Sequence, residues 1–291
     1  MSSILSGLKD LGLGNLEQKG LFDDGAKTQA VKKEPEQQQP ESKKVDEHEY
    51  VFGKSHTCPV CFKDFKAPTI RQSKLRPAGM DKDLRPKFKN FDPMKYDVIL
   101  CPHCGYAALG RFFHTITPPQ AKLVREGISR NFKPLPEKEV FTYDEAFVRY
   151  QLALGNAMVK KGRNSEKAYL CLKMAWMLRS KKEAIEAGTE EVDRANYLQT
   201  IEELEQDETE LLTNALDGFM TARQNETFPM CGMDEVTLDY IVCMTAMRLE
   251  NYELTNQMLN VLLVRSGLNP QLKDNLLEVK EELRNLKKED V

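Results

Sequence analysis

The sequence HTCPVC at residues 56–61 and the sequence CPHCG at residues 101–105 decide how the front of this chain folds. Each holds two cysteines separated by two residues, a spacing that turns both sulfur atoms toward one point. Two such turns supply the four thiolates of a tetrahedral zinc site. Zinc binding then provides folding energy to a module too small to build its own core. The sequence therefore predicts one structural zinc ion, held by Cys58, Cys61, Cys101 and Cys104.

The spacing between the two cysteine pairs is unusual for a zinc ribbon, because it is about twice the usual 15–20 residues. Residues 50–55 and 96–100 have the composition of short strands that lead into the cysteine turns, and residues 65–72 suit a return strand. Residues 73–93, here called the insertion, contain three prolines and a glycine, which predicts mostly loop. We therefore expect a zinc-ribbon-like β module over residues 49–117, with the insertion looping out between its strands.

Thiol redox chemistry is the main alternative interpretation of the cysteines. The sequence CPHC after a strand resembles the active site of thioredoxin-fold thiol oxidases, where proline and histidine favour the thiolate. That fold needs further βα units downstream, whereas this chain continues as helices. The other cysteine pair would also lack a partner, so the zinc interpretation is preferred. His103 is expected to face solvent, and His56 and His114 are possible replacement ligands that four thiolates make unnecessary.

Charge is distributed unevenly along the chain. Residues 49–133 contain 16 basic and 7 acidic residues, a net charge of +9, whereas residues 134–291 contain 19 basic and 29 acidic residues, a net charge of −10. A basic segment beside an acidic one predicts either phosphate binding or docking of the two segments on each other. Both interpretations are open at this point.

The basic residues in and just before the insertion suggest a nucleic-acid interface. Phe88, Phe91 and Tyr96 lie among them and could stack on bases, as in proteins that bind single strands; alternatively, these rings pack against the ribbon. Asp81 and Asp83 are expected to be solvated charges or partners for neighbouring cations. The candidate nucleic-acid or phosphate contacts, within residues 71–89, are Arg71, Lys74, Arg76, Arg85, Lys87 and Lys89.

Residues 118–291 are predicted to form antiparallel helical pairs. Pro118, the capping box that begins at Thr142, and Pro270 mark helix starts, and the longest helix is expected over residues 190–224. Residues 161–168 and 249–252 resemble the tight turn of a tetratricopeptide repeat, although the complete repeat pattern is not met, and an irregular bundle is the alternative. The predicted fold class is α+β, a small zinc-ribbon-like β module followed by an all-α, tetratricopeptide-like helical-hairpin domain.

Residues 1–48 precede the β module and differ from it in composition. Residues 2–24 carry apolar side chains interrupted by glycines, and residues 26–47 are rich in Lys, Glu, Gln and Pro, which predicts a disordered tether. An apolar peptide on a tether suggests a docking motif; alternatively, it is a frayed terminus or a segment that folds back onto the body. We find neither an apolar run that could span a bilayer nor the features of a signal peptide, so we expect a cytoplasmic protein.

The sequence contains no Walker A loop, GxSxG, HExxH or dinucleotide-binding fingerprint, so we expect no enzyme. It favours a non-enzymatic zinc-binding adaptor or scaffold that binds an unidentified protein partner through its helical-repeat surface. Nucleic-acid binding through the insertion and thiol redox activity are the alternatives.

Five motifs follow one another in the front half of the chain: Cys58-Pro-Val-Cys61, Ser73-Lys-Leu-Arg76, Asp81-Lys-Asp83, Asp92-Pro-Met-Lys-Tyr96 and Cys101-Pro-His-Cys-Gly-Tyr-Ala107. Together they resemble the bacterial family known as domain of unknown function 2225. Trp176 and Phe228-Pro229 are consistent with the helical half of that family. The resemblance covers about residues 50–264 and implies a bacterial cytoplasmic protein with a cysteine-rich front and a repeat-like helical back, but it brings no established activity.

Overall fold

The protein is described by a computed structural model that covers residues 8–14, 46–192 and 196–289. Its fold is α+β: short antiparallel strand pairs lie within residues 51–109, and helices occupy most of residues 118–289. The order of elements, strands first and helices after, agrees with the sequence prediction.

Among the described residues, six strands form three separate antiparallel hairpins: β1 (Val51–Thr57) with β2 (Asp64–Ile70), β3 (Pro77–Met80) with β4 (Pro86–Phe88), and β5 (Val98–Leu100) with β6 (Ala107–Leu109). The turn between β1 and β2 contains the first cysteine pair, and the turn between β5 and β6 contains the second. The strands predicted before each cysteine turn, and the return strand after the first, are therefore confirmed.

The insertion contains the β3–β4 hairpin, where the sequence predicts mostly loop. Its tip is a tight turn in which the Leu84 N–H donates to the Asp81 carbonyl at 2.9 Å. β3 is exposed, but the tip of the insertion does not extend into solvent. Arg85 is only 1% exposed, and the Tyr240 hydroxyl donates to the Lys82 carbonyl at 2.8 Å. The tip of the insertion thus packs against the helices.

In the described part of the chain seven α-helices follow, and the first continues into one π-helical turn over Arg125–Ser129. None of the described helices combines the length and the apolar character needed to cross a membrane. The helices are α1 (Pro118–Val124), α2 (Tyr143–Val159), α3 (Asn164–Glu186), α4 (Tyr197–Asn225), α5 (Glu235–Arg248), α6 (Tyr252–Leu263) and α7 (Pro270–Glu289).

The helices from α2 to α7 pack mainly on their neighbours in sequence. The turn between α2 and α3 and the turn between α5 and α6 are the two that resemble tetratricopeptide turns. Each contains one non-glycine residue in the left-handed region, Lys161 with φ 52° and Glu250 with φ 57°. Asn251 then caps α6, because its side chain accepts from the Leu254 N–H at 3.1 Å. Both predicted turns therefore join consecutive packed helices.

The longest helix, α4, begins at Tyr197 rather than near residue 190 as predicted. The preceding helix α3 ends at Glu186, and Gly188 follows it with φ +69°. The Gly188 N–H donates to the Ile185 carbonyl, which closes α3 in the usual way for a glycine in the left-handed region. The spacing of apolar residues in this charged stretch predicts a helix but does not show at which residue α4 begins.

Residues 8–14 are the described part of the apolar N-terminal peptide. Leu8 and Leu13 are fully buried in the hydrophobic core, and the Lys133 N–H donates to the Leu11 carbonyl at 3.3 Å. This part therefore folds back onto the body, which is one of the three interpretations that the sequence allows. The rest of the peptide, and the predicted tether up to residue 45, lie outside the described residues.

Candidate metal centre

The four cysteines of the two turns come together at one point. The Cys58 and Cys104 sulfurs are 3.6 Å apart, the Cys61 and Cys101 sulfurs are 3.7 Å apart, and all four lie within 4.8 Å of one another. A tetrahedral site with metal–sulfur bonds of about 2.3 Å places its sulfurs about 3.8 Å apart. A disulfide requires about 2.05 Å, and all four thiols are free. The cluster therefore has the dimensions of a four-sulfur metal site.

The two turns have the same hydrogen-bond pattern. In the first, the Phe62 N–H donates to the Cys58 carbonyl at 2.9 Å; in the second, the Gly105 N–H donates to the Cys101 carbonyl at 3.0 Å. Both residues that follow the second cysteine have positive φ, 60° at Phe62 and 73° at Gly105. The glycine predicted to permit the knuckle is thus present in one turn and replaced by phenylalanine in the other.

Electrostatics within the cluster favour binding of a cation. The Cys101 and Cys104 thiols hydrogen-bond to Cys58 and lower the pKa of its thiol, and the Val60 N–H, 3.4 Å from the Cys58 sulfur, acts in the same direction. The same interactions raise the pKa of Cys104, because a second thiolate beside the first is repelled. Four thiolates can coexist here only when a metal cation neutralises them.

The cluster is enclosed on the side that faces the helices. Cys58, Cys101 and Cys104 are buried. The Asn156 side-chain amide on α2 donates to the Gly105 carbonyl at 2.9 Å, and the Arg125 guanidinium donates to the Val60 carbonyl at 3.0 Å. Each cysteine turn is thereby fastened to the helical domain.

The neighbouring histidines lie outside the cluster. His103 is exposed, as expected, with its Nε2 3.2 Å from the Asp64 carbonyl oxygen. His56 stacks on Phe65, with ring centroids 5.7 Å apart, and lies 6.3 Å from the ring of His114. Within the described ranges, the four cysteines form the only group of His, Cys, Asp and Glu side chains close enough to share one metal ion. The four thiolates therefore need no histidine substitute.

The remaining three cysteines are separate from this centre. Cys171 and Cys243 are fully buried, as expected for small apolar side chains, and burial raises the pKa of each to about 12. Cys231 is half-buried and donates to the Ser165 carbonyl at 3.3 Å. None of these three thiols is in contact with the four-sulfur cluster.

The six candidate nucleic-acid contacts lie in different surroundings. Arg85 lies in the interior, which removes it from contact with a phosphate on a nucleic acid: its guanidinium pairs with Asp81 at 2.6 Å and with Glu183 of α3. Lys87 pairs with Asp81 at 3.0 Å, and Lys74 pairs with Glu49 at 3.1 Å.

The other three candidates are exposed. The Arg71 guanidinium lies 5.2 Å from the Phe52 ring centroid, and Arg76 donates to the Ser73 carbonyl at 3.0 Å. Lys89 lies beside Arg76, because the Lys89 N–H donates to the Arg76 carbonyl at 2.9 Å.

Two of the three aromatic side chains proposed to stack on bases pack inside the protein. Phe91 and Tyr96 are buried in a stack that runs from Tyr50 through both rings to Phe141, with successive centroids 4.7, 5.6 and 5.1 Å apart. These two rings are therefore unavailable for stacking on bases. Phe88, on β4, is half-buried.

A buried network of charges joins the insertion to the helices. The Trp176 indole N–H on α3 donates to the Asp83 carboxylate at 3.0 Å, and Arg179 pairs with the same carboxylate at 2.8 Å. Arg179 also pairs with the buried Glu208 of α4 at 2.8 Å. Burial alone would raise the pKa of Asp81, but hydrogen bonds from Lys87 and Arg85 outweigh it and hold that pKa below its ordinary value.

These contacts show that the basic segment docks on its acidic neighbour. The sequence identified Asp81 and Asp83 as possible ion-pair partners of nearby cations, which is correct for Asp81. It gave no signal for partners about a hundred residues away on α3. The one available hint was the opposite net charge of the two segments.

The residues of the DPMKY motif at 92–96 form a joint between the β module and the helices. Asp92 caps a short 3₁₀ helix by accepting from the Met94 N–H at 2.9 Å. Lys95 is 5% exposed and pairs with Glu47, and the Tyr150 hydroxyl of α2 donates to the Met94 carbonyl at 3.0 Å. This motif, which lies outside the cysteine turns, thus holds the two parts of the chain together.

Comparison with known families gives one match. Residues 51–286 match the family described as an uncharacterized protein conserved in bacteria, domain of unknown function 2225. The chain belongs to this family. The match confirms the resemblance seen in the sequence and extends it through most of α7, which that resemblance left out. No curated protein and no solved structure is significantly similar to the chain.

Proposed function

We propose that this family member is a cytoplasmic, non-enzymatic adaptor. In this proposal one zinc ion in the four-cysteine cluster stabilises a ribbon-like β module, and a tetratricopeptide-like helical domain binds a protein partner. The observation that carries the proposal is the closed geometry of the cluster. Four sulfurs already complete a tetrahedral shell, which is typical of structural zinc sites, whereas catalytic sites keep one position for water or substrate.

The donor set supports zinc in particular. Four thiolates in a tetrahedral arrangement suit zinc or iron–sulfur chemistry, and the two sulfur pairs that are 3.6 and 3.7 Å apart fit a single ion with metal–sulfur bonds of about 2.3 Å. Zinc would supply no redox chemistry here. Its role would be to hold the two hairpins together at the point where Asn156 and Arg125 fasten them to the helices.

Metal analysis tests the zinc part of the proposal. We expect the untagged protein to contain one equivalent of zinc, and we expect four thiols to become reactive only after chelation. We also expect no reduction of insulin disulfides. Metal-free protein that turns over insulin disulfides would replace the proposal with the thiol redox alternative.

The partner surface must lie away from the face of α3 that the insertion covers. The described part of the helical domain exposes apolar side chains elsewhere, and Val261 and Val264 lie about one turn apart near the end of α6. Val264 is 81% exposed. An exposed apolar helix face is a common feature of helix-mediated protein recognition, so the partner is expected to present a complementary apolar surface.

Site-specific photocrosslinking in cells tests the adaptor part. A photoreactive residue at position 261 or 264 is expected to capture the same single protein, whereas one at Lys66, exposed on β2, should not. The substitution Val264→Asp is expected to abolish capture from position 261. Equal capture from position 66, or no capture from α6, would overturn this assignment of the partner surface.

A further inference from the structure

A cavity of about 610 Å³ lies between the β module and α3, outside the metal centre. Its walls come from β1, from the β5–β6 hairpin and the turn after it, and from α3. Known small-molecule sites have volumes of about 300–1,000 Å³. The cavity is therefore large enough for a metabolite and too large to be filled by a single inorganic ion.

The cavity has an excess of positive charge. Lys54, Arg111 and Lys173 line it, and Asp97 is the one carboxylate among its lining residues. Asp97 pairs with Lys173, so these two charges offset each other. Within the described residues, no ion pair joins Lys54 or Arg111 to a carboxylate. Both side chains are exposed, and the Arg111 guanidinium lies beside Gly232 of the α4–α5 turn and 5.3 Å from the Phe112 ring centroid. Two cations without a carboxylate partner therefore line the cavity.

These cations differ from those of the insertion. Arg85 and Lys87 are paired with Asp81 and Glu183, which makes them part of the internal contact with the helices. Lys54 and Arg111 lie in the same basic segment of the chain but face a cavity. Only some of the cations of this basic segment therefore take part in its contact with the helices.

The other side chains that line the cavity indicate that its ligand also has an apolar part. Apolar side chains, including Ile99, Leu109 and Tyr169, share the cavity with the cations. Apolar surface binds the organic part of a ligand, whereas arginine and lysine bind its anionic group. Two unpaired cations match a phosphate monoester, whose charge near neutral pH is about −1.5 to −2.

We propose that this cavity binds a small organic phosphate monoester. Lys54 and Arg111 hold the phosphate group, and the organic group lies against Ile99, Leu109 and Tyr169. The site goes beyond the adaptor function, because it places a small ligand at the junction between the β module and the helical domain.

Calorimetric titration of the full-length, zinc-loaded protein tests the proposal. The probes are a panel of phosphate monoesters (AMP, ribose 5-phosphate, glycerol 3-phosphate and pyridoxal phosphate), with adenosine, inorganic phosphate and sulfate as controls. We expect at least one monoester to bind with a dissociation constant well below millimolar, and more tightly than inorganic phosphate. Failure of the whole panel at millimolar concentration would overturn the proposal.

Variants locate the binding. Lys54→Ala and Arg111→Ala are each expected to weaken binding of the best monoester by about tenfold or more. Arg111→Lys should weaken it less, because the charge is kept while the planar fork is lost. Lys66→Ala, on the neighbouring strand and outside the cavity, is the matched control and should leave affinity unchanged. Zinc content and the unfolding temperature verify that each variant is folded.

Three outcomes contradict the site. They are unchanged affinity in both alanine variants, equal loss in Lys66→Ala, and equal binding of sulfate, inorganic phosphate and monoester, which would mean an adventitious ion only. Because zinc content and capture of a partner at α6 are measured independently, this proposal can fail while the adaptor function stands.

Discussion

The two cysteine turns have the same backbone, yet one places phenylalanine where the other places glycine. Phe62 is 75% exposed, so its side chain extends into water and the left-handed backbone costs about 1 kcal/mol. Gly105 has no such freedom, because a Cβ atom there would lie 2.4 Å from Cγ of Phe132. The comparison teaches that the shared turn follows from the cysteine cluster, whereas the choice of residue follows from what packs against each turn.

Loss of one thiolate should reduce zinc binding and stability more than any other change, and by the same amount in either turn. Cys58→Ser and Cys101→Ser each leave three sulfurs, so both are expected to lose zinc and with it much of the binding energy, which is about 10–16 kcal/mol for structural sites. Metal analysis and thermal unfolding measure this. Cys231→Ser, outside the cluster, should retain one equivalent of zinc. If either ligand variant kept a full equivalent of zinc, the expectation that the two turns contribute equally to zinc binding would be wrong.

Gly105→Ala should distinguish the turns next. The added methyl group meets Phe132, and φ is +73°, so we expect a loss of about 2–4 kcal/mol in the free energy of unfolding. Phe62→Ala keeps a non-glycine residue at the exposed position and serves as the control, with a change below about 0.5 kcal/mol. Urea unfolding at constant zinc concentration measures both. Equal destabilisation would show that packing does not separate the turns.

The two hydrogen bonds that fasten the turns to the helical domain should differ by a smaller amount in their contribution to the free energy of unfolding. Asn156 is fully buried, and Asn156→Ala leaves the Gly105 carbonyl without that donor, at a cost of about 1–3 kcal/mol. Arg125 is exposed, so water can replace its bond to the Val60 carbonyl, and Arg125→Ala should cost about 0.5–1 kcal/mol. The same unfolding measurements apply. A greater cost for Arg125→Ala would reverse the order of the two anchors.

Phe62→Gly should have the smallest effect, and in the opposite direction. Glycine removes the left-handed strain of about 1 kcal/mol, although its greater freedom in the unfolded chain offsets part of that gain. We expect stabilisation of up to about 0.5 kcal/mol with unchanged zinc content. Clear destabilisation would indicate that the exposed ring contributes packing that its exposure does not suggest.

The site was predictable because its information is local. A CxxC turn brings two sulfurs together within four residues, so the four ligand positions could be named before any folding was known. The insertion was not predictable in the same way. Arg85 and Asp83 lie within a loop-like stretch of prolines and charges, and only their partners Glu183, Trp176 and Arg179 make them interior residues.

By itself, the sequence determined the cysteine cluster, the order of strands before helices, the two helix–helix turns and membership of the bacterial family. Periodicity, capping residues and short spacings act within a few residues of one another, so they can be read along the chain. The tertiary structure alone decided that the tip of the insertion turns inward, that Arg85 is buried, and that Lys54 and Arg111 line the same cavity. Those outcomes depend on packing between distant segments, where burial and charge pairing, rather than local composition, set the role of each residue.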